Sequence, residues 1–348
     1  MKISIGTNIK EGPWGGGNLF AINLRDYLLQ LGHEVVTNLK DEDIDIILIT
    51  EPRKTSESSA FTHVDVKNYI NFINNETLVM HRINECDERK NTKFVNKYLI
   101  EANKVADCTV FVSSWLKNLY KDQGISSNNN YVILAGANNN IFNITGRAVW
   151  NNSEKIKLVT HHWGANWNKG FAIYKLIDDL LEQNYWKERI QFTYIGNLPK
   201  NFKFKNSTHL EPLSGNELSN ELKKNHVYIT GSLNEPSGNH HIEAGQCGLP
   251  IMYIDSGGVK EYTQNFGVEY NESNFEEKII FLMENYREIF KNMINYPFNS
   301  DQMCKEYLSL FLEMVKNKDD ILKKRKIENR NNFEKIYYLI KRYFIFKS

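Results

Sequence analysis

Residues 229–262 read ITGSLNEPSGNHHIEAGQCGLPIMYIDSGGVKEY, and this stretch decides the fold. An apolar strand closes at Thr230, and a polar loop carries Glu235-Pro236-Ser237-Gly238. A helix opens near Asn239, and Gly248-Leu249-Pro250 stops it and starts the next strand. Gly238 permits close backbone approach, and the helix start presents unpaired N–H donors at a positive dipole end. That combination suits a diphosphate. Glu243, in the first turns of the helix, is placed to accept two hydroxyl hydrogen bonds from a ribose. Glu235, eight positions earlier, stands where a sugar on that diphosphate would lie, and His240 is a donor to sugar or phosphate. Taken singly, Glu243 is an ordinary solvated helix residue and Glu235 a loop charge; the composite is what carries specificity.

Working outward, short β-rich runs alternate with helical stretches, which predicts an α/β protein with mainly parallel sheets. Strands are expected at Lys2–Ile5, Glu34–Thr37, Ile44–Thr50, Thr77–His81, Thr109–Ser113 and Tyr131–Ala135. Helices are expected at Leu19–Leu31, Asp65–Asn74, Thr92–Ala106 and Ser114–Lys121. The pattern restarts with strands at Ile156–His161, Ile190–Gly196, Val227–Thr230 and Pro250–Asp255, with helices at Asn168–Glu182, Asn216–Lys223, Asn239–Cys247 and Glu276–Ile289. Two Rossmann-like units facing each other make a cleft at the carboxyl ends of their strands, the default ligand site of such sheets. The expected divisions are a first domain over 1–148, a second over 149–300, a crossing helix over 301–318 and a tail over 319–348.

The E-x7-E spacing from Glu235 to Glu243, followed by AGQCGLP and Gly257-Gly258-Val259-Lys260-Glu261, resembles the signature of family 4 glycosyltransferases, retaining enzymes of the GT-B fold. The resemblance spans most of residues 1–300, and only 235–250 is strongly specific. It implies that Glu243 grips the nucleotide ribose and that Glu235 faces the donor sugar. It also implies that the glycine loop Gly15-Gly16-Gly17 lies beside the donor diphosphate and the acceptor. Gly16 and Gly17 follow the first strand, where backbone meets a phosphate closely; with Phe20 in the third slot the loop is no GxGxxG, which disfavours a dinucleotide dehydrogenase. Lys169, at the mouth of a helix after the Ile156–His161 strand, is placed to neutralise charge on a leaving diphosphate; a surface lysine is the competing reading. The family carries an Arg five positions before this Lys, whereas this chain has Gly164, and His161, Asn166 and Arg82 are open as replacements. His81 and Arg82, after the fourth strand, occupy a place where similar enzymes put a His or Arg near the reacting sugar; a packed structural histidine is the equal alternative. Met303, Tyr307 and Phe311 resemble the helix that crosses back to the first domain.

Metal is not expected. Asp43-Ile44-Asp45 precedes its strand, at the end away from the cleft, and neither His161-His162 nor His240-His241 sits in a zinc-ligand pattern. The degraded Gly136-Ala137-Asn138-Asn139 stretch reads as a turn. The four cysteines lie far apart and are expected as free thiols. With no long apolar run near the start or elsewhere, the expected location is cytoplasmic.

At 41% hydrophobic and 12% aromatic over 348 residues, the chain can bury sizeable cores. The formal net charge of +1 hides a basic tail: residues 319–348 hold nine Lys/Arg against four Asp/Glu, leaving a body of net −4. That mildly acidic body disfavours a nucleic-acid partner. Phe333, Ile336, Tyr337, Ile340, Tyr343 and Phe344 fall on one helical face with Lys335 and Arg342 opposite, beyond the Lys323–Lys326 cluster. Such a helix either contacts an anionic membrane peripherally, at its inner face, or packs on the body. The expected function is retaining transfer of a sugar from a nucleotide-diphosphate donor to a saccharide or lipid-linked acceptor hydroxyl, with no cofactor beyond the donor. The competing readings are a two-lobed sugar- or nucleotide-binding protein and a nucleotide-sugar epimerase.

Overall fold

The computed structural model describes residues 1–10, 12, 14–125, 129–325 and 332–347. Two six-stranded sheets, parallel throughout, divide the chain between them. The first contains β1 (Lys2–Ile5), β2 (Glu34–Val36), β3 (Ile46–Ile49), β4 (Leu78–Ile83), β5 (Cys108–Phe111) and β6 (Asn130–Val132), in the order β2-β1-β3-β4-β5-β6. The second contains β7 (Ile156–His162), β8 (Ile190–Gly196), β9 (Thr208–Leu210), β10 (Val227–Thr230), β11 (Ile251–Tyr253) and β12 (Gly267–Glu269), in the order β12-β11-β10-β7-β8-β9. The central strands β3, β4, β5 and β10 are buried at every residue, because helices cover both faces of such sheets.

Each sheet builds its own core. Ile3, Ile5, Leu48 and Met80 pack with Phe20, Leu24 and Leu28 of the Gly16–Gln30 helix, which shows that helix's three-to-four spacing at work. Leu158, Phe192, Ile229 and Met252 anchor the core of the second sheet with Phe171, Tyr174 and Ile177. The Ser300–Lys316 helix returns to the first core, burying Met303, Cys304, Tyr307 and Phe311, with Tyr307 and Phe20 ring centroids 5.0 Å apart. At the crossing, Gly136-Ala137 pairs with the returning chain: Ala137 N–H donates to the Phe298 carbonyl at 3.1 Å, and Ser300 N–H to the Ala137 carbonyl at 2.7 Å.

Two expected helices differ. The one expected over 92–106 is a short Asp87–Lys90 turn and a Val95–Asn103 helix, separated by Asn91 in the left-handed region. Asp87 causes the break, since its carboxylate accepts the N–H groups of Phe94, Val95 and Asn96 and restarts the helix there. The helix expected from Asn168 begins as a Trp167–Lys169 turn and becomes α-helical only at Phe171. Asp43 and Asp45 hold Lys2 at the amino end of β3, away from the cleft. All four cysteines are buried and free.

The tail helix Asn332–Lys347 lies on the His63–Phe72 helix through one side only. Tyr338 meets Phe72 at 5.5 Å, and Arg342 reaches the Tyr69 ring at 5.6 Å and the Lys40 carbonyl at 2.5 Å. Arg342 is thus buried, while Phe333, Ile336, Tyr337, Ile340 and Tyr343 all stand more than half exposed. Lys326 and the Phe344 side chain lie outside the described residues. Among the described residues no helix is long and apolar enough to cross a membrane.

Candidate active site

The carboxyl ends of β7 and β10 meet the first half, and the loop 231–238 that follows β10 reaches Glu88 and Arg89 there. Gly170, at φ +101, would place a Cβ 2.7 Å from the Gly231 backbone, so only glycine lets the turn carrying Lys169 pack against the end of β10. Lys169 is thereby buried, and its Nζ lies 2.5 Å from Glu235 Oε2. Gly257-Gly258 supports the other side of the loop, with the Gly258 N–H donating to the Glu235 carbonyl at 2.9 Å.

Gly238 caps the Asn239–Gln246 helix at φ +78, where a Cβ would stand 2.5 Å from the His241 ring. The helix it starts is almost wholly buried, and it sets Glu243 inward. Glu243 Oε2 is 2.8 Å from His161 Nε2, at the carboxyl end of β7. His240 Nε2 lies 2.9 Å from Thr230 Oγ1, and the rings of His162 and His240 meet at 4.4 Å. Burial keeps three imidazoles neutral: it pulls His162 and His240 well below the ordinary histidine value and His241 down to about 3. Among the described residues no set of three His, Cys, Asp or Glu side chains forms a metal-ligand cluster.

A residue missed in the sequence completes the arrangement. Arg89, in the Asp87–Lys90 turn beyond β4, crosses from the first half and places its Nε 3.1 Å from Glu235 Oε1. Its Nη1 donates to Glu85 Oε2 at 3.1 Å. Burial alone would raise the Glu235 pKa, but Arg89 and Lys169 on either side hold the carboxylate at about 2. Burial, with Arg89 next to it, pulls the Lys169 ammonium below its usual value against the opposing pull of Glu235. Nothing in the local sequence marks Arg89 among 43 lysines and arginines except its place just beyond the carboxyl end of a strand.

The first half closes over this wall at other points. A Cβ on Gly16 would stand 2.7 Å from the Asn239 side chain, so the glycine loop touches the helix start, and Gly17 lies near Asn84. Glu261 accepts the N–H groups of Ser114 and Trp115 at 2.8 and 2.9 Å. Asn168 and Asn234 donate to the carbonyls of Arg89 and Glu88.

Lys169, Glu235, His161, Glu243, Gly238, Asn239, His240 and Gly16 therefore come together, with Gly17 at the margin. His81 and Arg82 do not join them. Neighbouring strand residues point to opposite faces, so His81 turns to Asn103, with Nδ1 and Oδ1 2.9 Å apart, and Arg82 lies 4.0 Å over the Phe20 ring. His81 is fully enclosed and held neutral by burial, at about 4, which is the packed structural reading.

Residues 172–299 match the family model described as glycosyl transferases group 1. No curated protein sequence matches the chain. Among solved structures, Anabaena HepE, determined with UDP and glucose, aligns over 90% of this chain and all of its own at a TM-score of 0.67 and 15% identity. A glycosyltransferase from Rickettsia africae aligns over 91% of this chain and 99% of its own, with a TM-score of 0.66 and 15% identity. Sucrose-phosphate synthase from Thermosynechococcus elongatus aligns over 90% and 99%, with a TM-score of 0.62 and 13% identity. These likenesses establish the GT-B fold, and the family match within the second half supports a glycosyltransferase.

Proposed function

We propose that the chain is a retaining glycosyltransferase that moves a sugar from a nucleotide-diphosphate donor to a saccharide or lipid-linked acceptor hydroxyl. The single observation that carries this reading is the pair of buried carboxylates eight residues apart, each already holding a cationic or imidazole partner from the end of β7 or the turn after it. Glu243 binds the ribose hydroxyls, with His161 fixing its carboxylate. The Gly238–Asn239 backbone and the glycine loop receive the diphosphate. As the bond from the anomeric carbon to the diphosphate oxygen breaks, negative charge moves onto the leaving group and Lys169 offsets it. Glu235 orients the sugar hydroxyls. The acceptor oxygen then bonds to the anomeric carbon on the face the diphosphate left, and its proton passes to a leaving phosphate oxygen.

The tail belongs to the same reading. The exposed row Phe333, Ile336, Tyr337 and Ile340, on a segment of net positive charge, fits the surface of an anionic membrane, with the enzyme at its inner face.

The test is a thermal-shift panel of UDP, GDP and ADP on the wild type and on Glu243→Ala. One nucleotide should raise the melting temperature of the wild type, and the variant should need at least about tenfold more of it. No response from the wild type to any of them would sink the proposal.

A further inference from the structure

The site lacks one charge that its chemistry needs. Two negative charges gather on a departing diphosphate, and Lys169 is the single cation that the second half brings to the loop. Gly164 marks the gap physically: a Cβ there would lie 3.7 Å from Lys169 Cε and 3.8 Å from Asn166 Nδ2, both ordinary contacts, so the position beside Lys169 is roomy and uncharged. The three replacements open in the sequence do not fill it. His161 is bonded to Glu243, Asn166 carries no charge, and Arg82 is stacked on Phe20.

Arg89 has what they lack. It approaches from the opposite wall to the same carboxylate that Lys169 holds, so two cations flank Glu235, one at each oxygen. Its Nε is buried and, although 3.1 Å from Glu235 Oε1, its hydrogen is not directed at that oxygen and makes no hydrogen bond. A buried donor without a bond is costly unless a ligand receives it. Glu85 accepts from Nη1 and keeps the guanidinium turned into the cleft, while burial, opposed more strongly by Glu235 and Glu85, leaves its proton held more tightly than usual.

We infer that Arg89 is the second cation of the diphosphate site, supplied across the cleft by the first half of the chain. This rests on the donor reading given under Proposed function. In the ligand-free protein the Glu235 carboxylate stands between Arg89 and Lys169 as a substitute for the phosphate oxygens. When donor enters, Glu235 turns to the sugar hydroxyls and both cations pass to the diphosphate. The site is therefore completed by a residue of the first half, which ties departure of the diphosphate to contact between the two halves.

The experiment compares, by calorimetry, the nucleoside diphosphate that the wild type binds with its monophosphate, using wild type, Arg89→Ala and the double variant Arg89→Ala/Gly164→Arg. Arg89→Ala should weaken the diphosphate by about ten- to a hundredfold and the monophosphate by less than about threefold. Gly164→Arg should restore most of the loss by placing a guanidinium beside Lys169 from the other side. An unchanged diphosphate affinity, or an equal loss for both nucleotides that Gly164→Arg does not repair, overturns the inference while leaving the donor reading intact. A wild type that binds no nucleoside diphosphate overturns the donor reading itself, and this inference with it.

Discussion

The two walls of the cleft are built differently. The second half presents Lys169, Glu235, Glu243, His161 and His240 on strand ends, a loop and one buried helix, each bonded to a neighbour. The first half presents a glycine loop, which touches the helix start with backbone alone, and one long reach from Arg89. A wall whose charged groups are already paired holds a nucleotide in a fixed place with little rearrangement. A sparse wall adds a single charge, that of Arg89, from across the contact between the halves. The contrast teaches that, on the proposed function, gripping the nucleoside and offsetting the charge of the diphosphate fall to different side chains.

Removing the link between the walls should have the largest effect. Glu235→Gln leaves Lys169 buried without a carboxylate and Arg89 with Glu85 alone, so turnover should fall by at least about a hundredfold and stability by about 3 kcal/mol. Urea denaturation and donor hydrolysis check the two parts. Next comes a split within the second wall. Lys169→Ala should lower turnover and weaken the diphosphate far more than the monophosphate, whereas Glu243→Ala should weaken both nucleotides at least about tenfold. Identical losses in the two variants would erase the distinction between gripping the ribose and helping the leaving group.

A pH experiment examines the neutral imidazoles. The folded pKa is about 3 for His241 and about 4 for His81 and His226, all lowered by burial from an ordinary 6.5. The unfolded chain therefore binds more protons below that ordinary value. Stability should be full above about pH 6.5 and fall as pH drops toward 4, by about 1.4 kcal/mol per pH unit for each histidine. Equal unfolding free energies at pH 7 and pH 5 would contradict this. The smallest effect on chemistry is expected from the tail. Phe333→Ser/Ile336→Ser/Ile340→Ser changes only exposed positions, so donor hydrolysis should stay unchanged while binding to anionic vesicles falls.

Much of this was legible from residue order. The seven-residue strand β8, the short apolar strand β10 and the composite loop from Glu235 to Pro250 announce themselves by pattern. The edge strands β9 and β12 do not, because three residues with polar members carry no periodicity. The opposite facing of His81 and Arg82 was implicit in strand alternation, once β4 was known to run through both. Arg89 could not be found in that way. Its partner lies 146 positions away, and only the closed arrangement of the two halves brings them together. The tail shows the same limit: its apolar face is plain in the sequence, but the choice to bury Arg342 on Tyr69 depends on the helix beneath it.

Release of a nucleoside diphosphate from a nucleotide sugar is the reaction that the proposed function requires of this site. The direct measurement incubates purified wild type and Lys169→Ala with a panel of UDP-, GDP- and ADP-sugars and quantifies free nucleoside diphosphate over time. The wild type should release it from one class of donor, and Lys169→Ala should be slower by at least about a hundredfold. Tight binding of a nucleotide sugar with no release by the wild type would contradict it and make the molecule a two-lobed binding protein.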